Sequence, residues 1–213
     1  MSFLNHIKIE LFLLLIVTVS VFLSVNFDIN IYNFFVSFNE NSQNIYLKEF
    51  FVNITRLGES SWYFAISVIA LITLFSNKLV NLFTISDFDK KINFFISVII
   101  YLLTIGLTTQ IIKHLVGRPR PNHTNFEENI DFNFFTLESS LHSFPSGHSS
   151  TIFMVCLILC TVLPKLKVYF FILASIIAFS RVVVGAHFLT DIIVGGLLAL
   201  IVYKFLNVFF REK

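Results

Sequence analysis

The sequence predicts an all-α fold, a polytopic membrane helical bundle of six transmembrane helices with both termini cytoplasmic. Three observations lead there. Hydrophobic residues make up 56% of the 213 positions and charged residues only 13%, with a mean hydropathy of +0.82, where a soluble domain carries about 25% charged residues. Six apolar runs approach the length of about 17 to 25 residues that crosses a bilayer. The runs are continuous rather than alternating, which argues against the strands of a barrel. The same composition excludes a disordered chain, and a net charge of +2 is too small for a polyanionic partner such as nucleic acid. One transmembrane domain over residues 1–213 is expected.

The runs are Leu11–Val25, Ser61–Ser76, Asn93–Ile112, Gly147–Leu163, Val168–Gly185 and Asp191–Phe210. The first follows the short, weakly basic stretch Met1–Glu10, as a signal peptide would. No small-x-small cleavage site comes after it, so an uncleaved span is expected. With the N-terminus inside, the cytoplasmic segments hold Lys8, Lys78, Lys90, Lys91, Lys165, Lys167, Lys204, Arg211 and Lys213. The outer segments hold Lys48, Arg56, Lys113, Arg118, Arg120 and Arg181. This distribution follows the positive-inside rule. Of the two long outer segments, Asn26–Ser60 mixes Ile29, Ile31, Phe34, Phe35 and Phe38 with polar residues, in the manner of an interfacial helix. The other, Lys113–Ser146, carries Glu127, Glu128, Asp131 and Glu138, read as a solvated loop face. Cys156 and Cys160 read as small hydrophobes on one helix face.

The chemistry-bearing residues gather at the outer ends of these runs. Lys113 follows the third, with Arg118 and Arg120 close behind; Pro145-Ser146-Gly147-His148 opens the fourth. Ser180-Arg181 lies near the end of the fifth, and His187 and Asp191 lead into the sixth. Cations near hydrocarbon cost about 2.5–3.5 kcal/mol each at mid-bilayer and usually face a functional cavity. Local acids are too few to neutralise Lys113, Arg120 and Arg181, so a phosphate is the expected partner: Arg matches its oxygens bidentately and Lys adds a point charge. A helix start at Ser146-Gly147-His148 adds free N–H groups, and Gly147 lets the backbone come close. His187 and Asp191, four apart, share a face if the helix has begun there, so that the carboxylate fixes the tautomer of a nucleophilic imidazole. His148 suits the general acid and base. Together these residues make a phosphoryl-transfer site that needs no metal or other cofactor.

These residues resemble the three-part signature of the type-2 phosphatidic acid phosphatase family, within the acid phosphatase and vanadium haloperoxidase superfamily. The parts are Lys113 with Arg120-Pro121, then Pro145 to His148, then Ser180-Arg181 with His187 and Asp191, complete and in order over about Gly106–Gly196. Thr55-Arg56-Leu57-Gly58 is similar to the family as well, less specifically. The resemblance implies a transient phosphohistidine at His187, His148 as acid and then base, and Asp191 as partner of His187. It implies phosphate binding by Lys113, Arg120, Ser146, Gly147 and Arg181; Arg118 is not one of the motif's fixed positions, so the resemblance assigns it nothing. Six-span members act on lipid phosphates at the outer face of the cytoplasmic membrane, so the implied substrate is a lipid phosphate monoester or pyrophosphate, hydrolysed in a multi-pass inner membrane protein whose site faces the periplasm or exterior. Phosphatidic acid, phosphatidylglycerol phosphate, undecaprenyl pyrophosphate and a lipid A phosphate all fit. A lipid phosphotransferase would use the same site, and a phosphate-binding transporter or lipid sensor would keep the cations without needing His148, His187 and Asp191 together. His6, His114, His123 and His142 read as ordinary polar positions, with His114 and His142 able to line the cavity, and Trp62 and Tyr63 read as interfacial anchors.

Overall fold

The computed structural model describes residues 27–80, 88–123 and 132–211. Among the described residues seven helices carry the fold: α1 over residues 27–40, α2 Ile45–Ile54, α3 Ser60–Val80, α4 Phe88–Val116, α5 Gly147–Val162, α6 Lys167–Val183 and α7 Leu189–Arg211. Short 3-10 turns, among them Thr55–Gly58, join them, and no strand occurs among the described residues. Five of the six apolar runs thus lie on α3 to α7; the first, Leu11–Val25, lies outside the described residues, as do His6, Glu127, Glu128 and Asp131. Phe88–Val116, Pro164–Val183 and Leu189–Val208 are long and apolar enough to cross a bilayer. Ser42–Gly58 and Ser60–Ser76, bent by 45° at the break, make a fourth such length if counted as one broken span. At 16 residues α5 is shorter.

The short helix is the centre of the bundle. α5 packs most extensively on α7 and α6, and also on α4. One of its faces presents Ile152 and Cys156 to Ala174, Ile177, Ala178 and Val182 of α6 and Ile192 of α7. Another presents Met154 and Ile158 to Tyr101 and Ile105 of α4 and Ala199 and Val202 of α7. The outer helices instead turn apolar stripes outward: Leu103, Leu107 and Ile111 follow one another at four-residue spacing on α4 and are 50%, 64% and 61% exposed. In water such stripes would be a liability; against acyl chains they are solvated.

Where lipid supplies no hydrophobic drive between helices, close approach and polar contacts decide packing. Gly195 of α7 lies against the start of α5, where an added Cβ would come within 2.6 Å of the Ser146 carbonyl oxygen. At Gly196 the ring of Phe153 takes the equivalent space, 3.0 Å away. A hydrogen bond from Ser146 N–H to the Asp191 carbonyl (3.0 Å) and a Thr109–Ser150 hydroxyl pair (3.1 Å) fix α5 to α7 and α4. Tyr63, expected as an interfacial anchor, packs on the core instead and donates to the Leu57 carbonyl at 2.5 Å, while Trp62 stays 58% exposed. The segment before α3 is also more deeply built in than an interfacial helix: Ile31 and Phe35 of α1 and Ile54 of α2 pack on the α5–α6 core.

Gly195→Val should push α7 off the start of α5. Overpacking of this kind costs about 1–3 kcal/mol, and the thermal midpoint in detergent is expected to fall. An unchanged midpoint would contradict the close contact.

Candidate active site

Each sequence-predicted residue sits at a helix end, and the local chain explains why. Lys113 lies within the last turn of α4 rather than after it, 6% exposed, its Nζ donating to the His142 carbonyl at 2.6 Å. Gly117 then ends the helix. Its φ is +59° and its N–H returns to the Lys113 carbonyl, the left-handed cap that glycine favours, and a Cβ here would overlap the Asn133 carbonyl at 1.6 Å. The reversal turns the Arg118-Pro119-Arg120 strip back under the helix ends. Arg120 N–H and Nε donate to the Ser140 and Ser139 carbonyls, and Ser143 N–H donates to the Arg118 carbonyl.

Ser146 caps α5, its hydroxyl accepting from Ser149 N–H. His148 stands in the first turn. An added Cβ at Gly147 would meet nothing within 4 Å, so protein packing does not demand a glycine there, and the space in front of it belongs to a cavity. That cavity, about 450 Å³, opens between α3, α4 and α5 and is lined by Glu59, Gln110, Lys113, Gly147 and His148 among others. The Thr55–Gly58 turn forms part of the same wall. Thr55 Oγ1 accepts from Arg181 at 3.3 Å, and Gly58 packs so tightly on His148 that a Cβ would come within 3.0 Å of the His148 ring.

Arg181 occupies the last turn of α6; its Nε is buried and has no hydrogen-bond partner among the described residues. The chain then turns, with Gly185 at φ +72°, and the Ala186 and His187 N–H groups both return to the Arg181 carbonyl. His187 therefore precedes the helix it was expected to share with Asp191, since α7 begins at Leu189. The pair still meets. Asp191 sits in the first turn of α7, and its Oδ2 reaches back to accept from Phe188 N–H at 2.9 Å, as a carboxylate does in a capping box. The same oxygen lies 3.4 Å from His187 Nδ1 and accepts from Ser143 Oγ at 2.5 Å.

The titratable groups near enough to act on His148 are Arg181, His187, Lys113 and Arg120, so the three motifs meet at one place. Among the described residues, neither Lys113 nor Arg181 has a carboxylate within ion-pair distance. Burial lowers the His187 imidazole from its ordinary value to about 4, partly offset by the hydrogen bond and charge of Asp191. Burial also pushes the Arg120 guanidinium down. His187 is thus a neutral ring at pH 7, held at Nδ1 and with Nε2 free.

Arg118, by contrast, is paired with acids: it donates to Asp191 Oδ1 at 2.7 Å and to Asp28 Oδ2 at 2.8 Å. His142 and His114 lie ring against ring, tilted at 52° with 4.4 Å between centroids; His142 bonds to the Thr136 carbonyl, and neither is among the residues that line the cavity. Sequence reading missed Asp28 and Ser143. For Asp28 a sign was available: with Ile31 and Phe35 it falls at i, i+3 and i+7 of α1, an acid on the stripe that faces the core. Ser143 carried none.

Residues 94–213 match the PAP2 superfamily. Over 177 residues the chain is 30% identical to a lipid A 1-phosphatase of Rhizobium etli, covering 78% of this chain and 75% of the relative. A similar fold occurs in the crystal structure of a transmembrane PAP2-type phosphatidylglycerolphosphate phosphatase from Bacillus subtilis, with a TM-score of 0.58, 24% identity, and coverage of 93% of this chain and 95% of the other. Aquifex aeolicus LpxE follows with a TM-score of 0.50 and 23% identity over 80% and 90% of the two chains. Given this match and the ordered motifs, the chain belongs to the PAP2 superfamily, the type-2 phosphatidic acid phosphatases whose signature it carries.

Proposed function

We propose that this protein is an integral membrane lipid phosphatase that hydrolyses a phosphate monoester or pyrophosphate of a lipid through a phosphohistidine at His187. One observation carries the reading: a neutral, buried imidazole held by Asp191 lies with a cluster of three cations, two of which have no carboxylate within ion-pair distance among the described residues. Mutual repulsion in such a cluster favours binding of an anion, and the buried Arg181 Nε without a partner is a donor that a phosphate oxygen would satisfy. The Ser146-Gly147 helix start adds N–H groups to the cradle.

In the proposed reaction Lys113, Arg120 and Arg181 hold the phosphate oxygens and stabilise the charge that gathers on them. His187 Nε2 attacks phosphorus in line; the N–P bond forms as the bond to the lipid oxygen breaks, and His148 gives that oxygen its proton. Water then attacks the phosphohistidine while His148 takes its proton, the N–P bond breaks, and inorganic phosphate leaves. Asp191 stabilises the positive charge that His187 develops. No metal takes part. The domain is a single one over residues 1–213, with six spans, both termini in the cytoplasm and the site at the outer face of the inner membrane. The polar lining of the cavity, Glu59, Gln110 and Thr109, suits a hydroxyl-bearing headgroup. The lipid A 1-phosphatase relative makes a sugar-linked lipid phosphate the first substrate to test.

His187→Ala should lower release of inorganic phosphate from such a lipid by about 10⁴-fold or more while the protein remains folded. Rapid quench should trap acid-labile phosphate on His187 in the unaltered protein; turnover without that adduct would contradict the mechanism. The pH dependence has a definite sign. Because burial puts the His187 value near 4, below its ordinary 6.5, the neutral nucleophile persists as pH falls through 6.5 and is lost only near 4. Single-turnover phosphorylation, corrected for ionisation of the substrate phosphate, should show its acid limb there. A limb attributable to the enzyme at 6.5 would contradict the burial argument.

A further inference from the structure

We infer that Arg118 and Asp28 form a buried positioning pair that sets the orientation of Asp191, and through it the His187 ring, and that Arg118 takes no part in holding phosphate. The inference rests on the proposed phosphatase reading for its kinetic consequence, though not for its geometry.

Arg118 lies inside the phosphate-binding motif, one position past the glycine that ends α4, and its charge alone would enrol it in the cradle. Its contacts exclude that. The side chain is 2% exposed, with one terminal nitrogen committed to Asp191 Oδ1 and the other to Asp28 Oδ2. Its face lies over the Phe188 ring, 4.2 Å from the centroid. Both terminal nitrogens are on carboxylates, and although Nε has no partner among the described residues it is buried, out of reach of a phosphate in an open cavity.

The consequence for Asp191 follows from its two oxygens. Oδ1 is taken by Arg118, so Oδ2 alone serves Ser143, Phe188 N–H and His187 Nδ1. Without Arg118, Oδ1 loses its partner and only the Ser143 and Phe188 N–H contacts at Oδ2 orient the carboxylate, so its geometry at Nδ1 is less tightly set. Asp28 fixes Arg118 in turn, and it also accepts from both the N–H and the hydroxyl of Thr190. One buried carboxylate of α1 therefore holds the guanidinium and the first turn of α7 together, on either side of Asp191. Two separate segments, 90 residues apart, are tied to the nucleophile through this pair.

The test compares Arg118→Gln, Arg118→Lys and Asp28→Asn in the full-length protein in detergent. It reads kcat, the Kd for tungstate by calorimetry, the thermal midpoint, and the His187 tautomer by ¹⁵N imidazole NMR. A positioning pair predicts that kcat falls by about 100-fold in Arg118→Gln and less in Asp28→Asn, with tungstate affinity unchanged. It also predicts partial recovery in Arg118→Lys and a His187 signal that shifts from the Nδ1–H form toward a tautomer mixture. Weakened tungstate binding with kcat retained would make Arg118 a phosphate ligand and overturn the inference. So would unchanged kcat and tautomer, or parallel loss of midpoint, kcat and anion binding in all three variants, which marks a structural role. If the unaltered protein releases no phosphate from any lipid while its His187 tautomer still responds to the three substitutions, the phosphatase reading fails and the positioning pair stands.

Discussion

The carboxylate of Asp191 has no exposed surface, and the donors around it come from three separate stretches of chain: Arg118 from the turn after α4, Ser143 from the approach to α5, and Phe188 and His187 from the turn before α7. A buried anion of this kind is costly unless each oxygen is satisfied. Meeting that demand constrains the fold as much as the site. The Gly117 cap has to reverse the chain after α4, α7 has to approach α5 closely enough for Asp191 O to accept from Ser146 N–H, and α1 has to bring Asp28 to neutralise the far side of Arg118.

Beside this neutralised network sits its opposite. Lys113, Arg120 and Arg181 repel one another, Lys113 on the wall of the cavity, and His148 stands among them. The two clusters separate the arginines by their partners. Arg118 has both terminal nitrogens on protein carboxylates, whereas Arg181 reaches only a threonine hydroxyl with one; each leaves its Nε buried without a partner among the described residues.

Much of this was legible before any coordinates. Helices α3 to α7 follow the apolar runs within a few residues, because continuous apolar stretches of that length have few other ways to satisfy their backbone in a membrane. α4 extends beyond its run at both ends, since Asp89 at its start and Lys113 and His114 at its end favour the respective helix ends. The motifs also announced which residues would converge, since spacing to successive helix ends sets their depth. What stayed hidden depends on pairings that no local pattern encodes. Arg118 and Asp28 are 90 positions apart, Ser143 lies in a stretch without periodicity, and the value of Gly195 is visible only once α5 lies against it.

The central claim is that the three cations and the Nε2 side of His187 surround one tetrahedral anion. A structure determined with tungstate or vanadate bound tests it most directly. The account predicts the metal oxyanion within hydrogen-bonding reach of Lys113, Arg120 and Arg181, against Nε2 of His187, with the Asp28–Arg118–Asp191 contacts unbroken. An anion seated on Arg118, or bound away from His187, would contradict it.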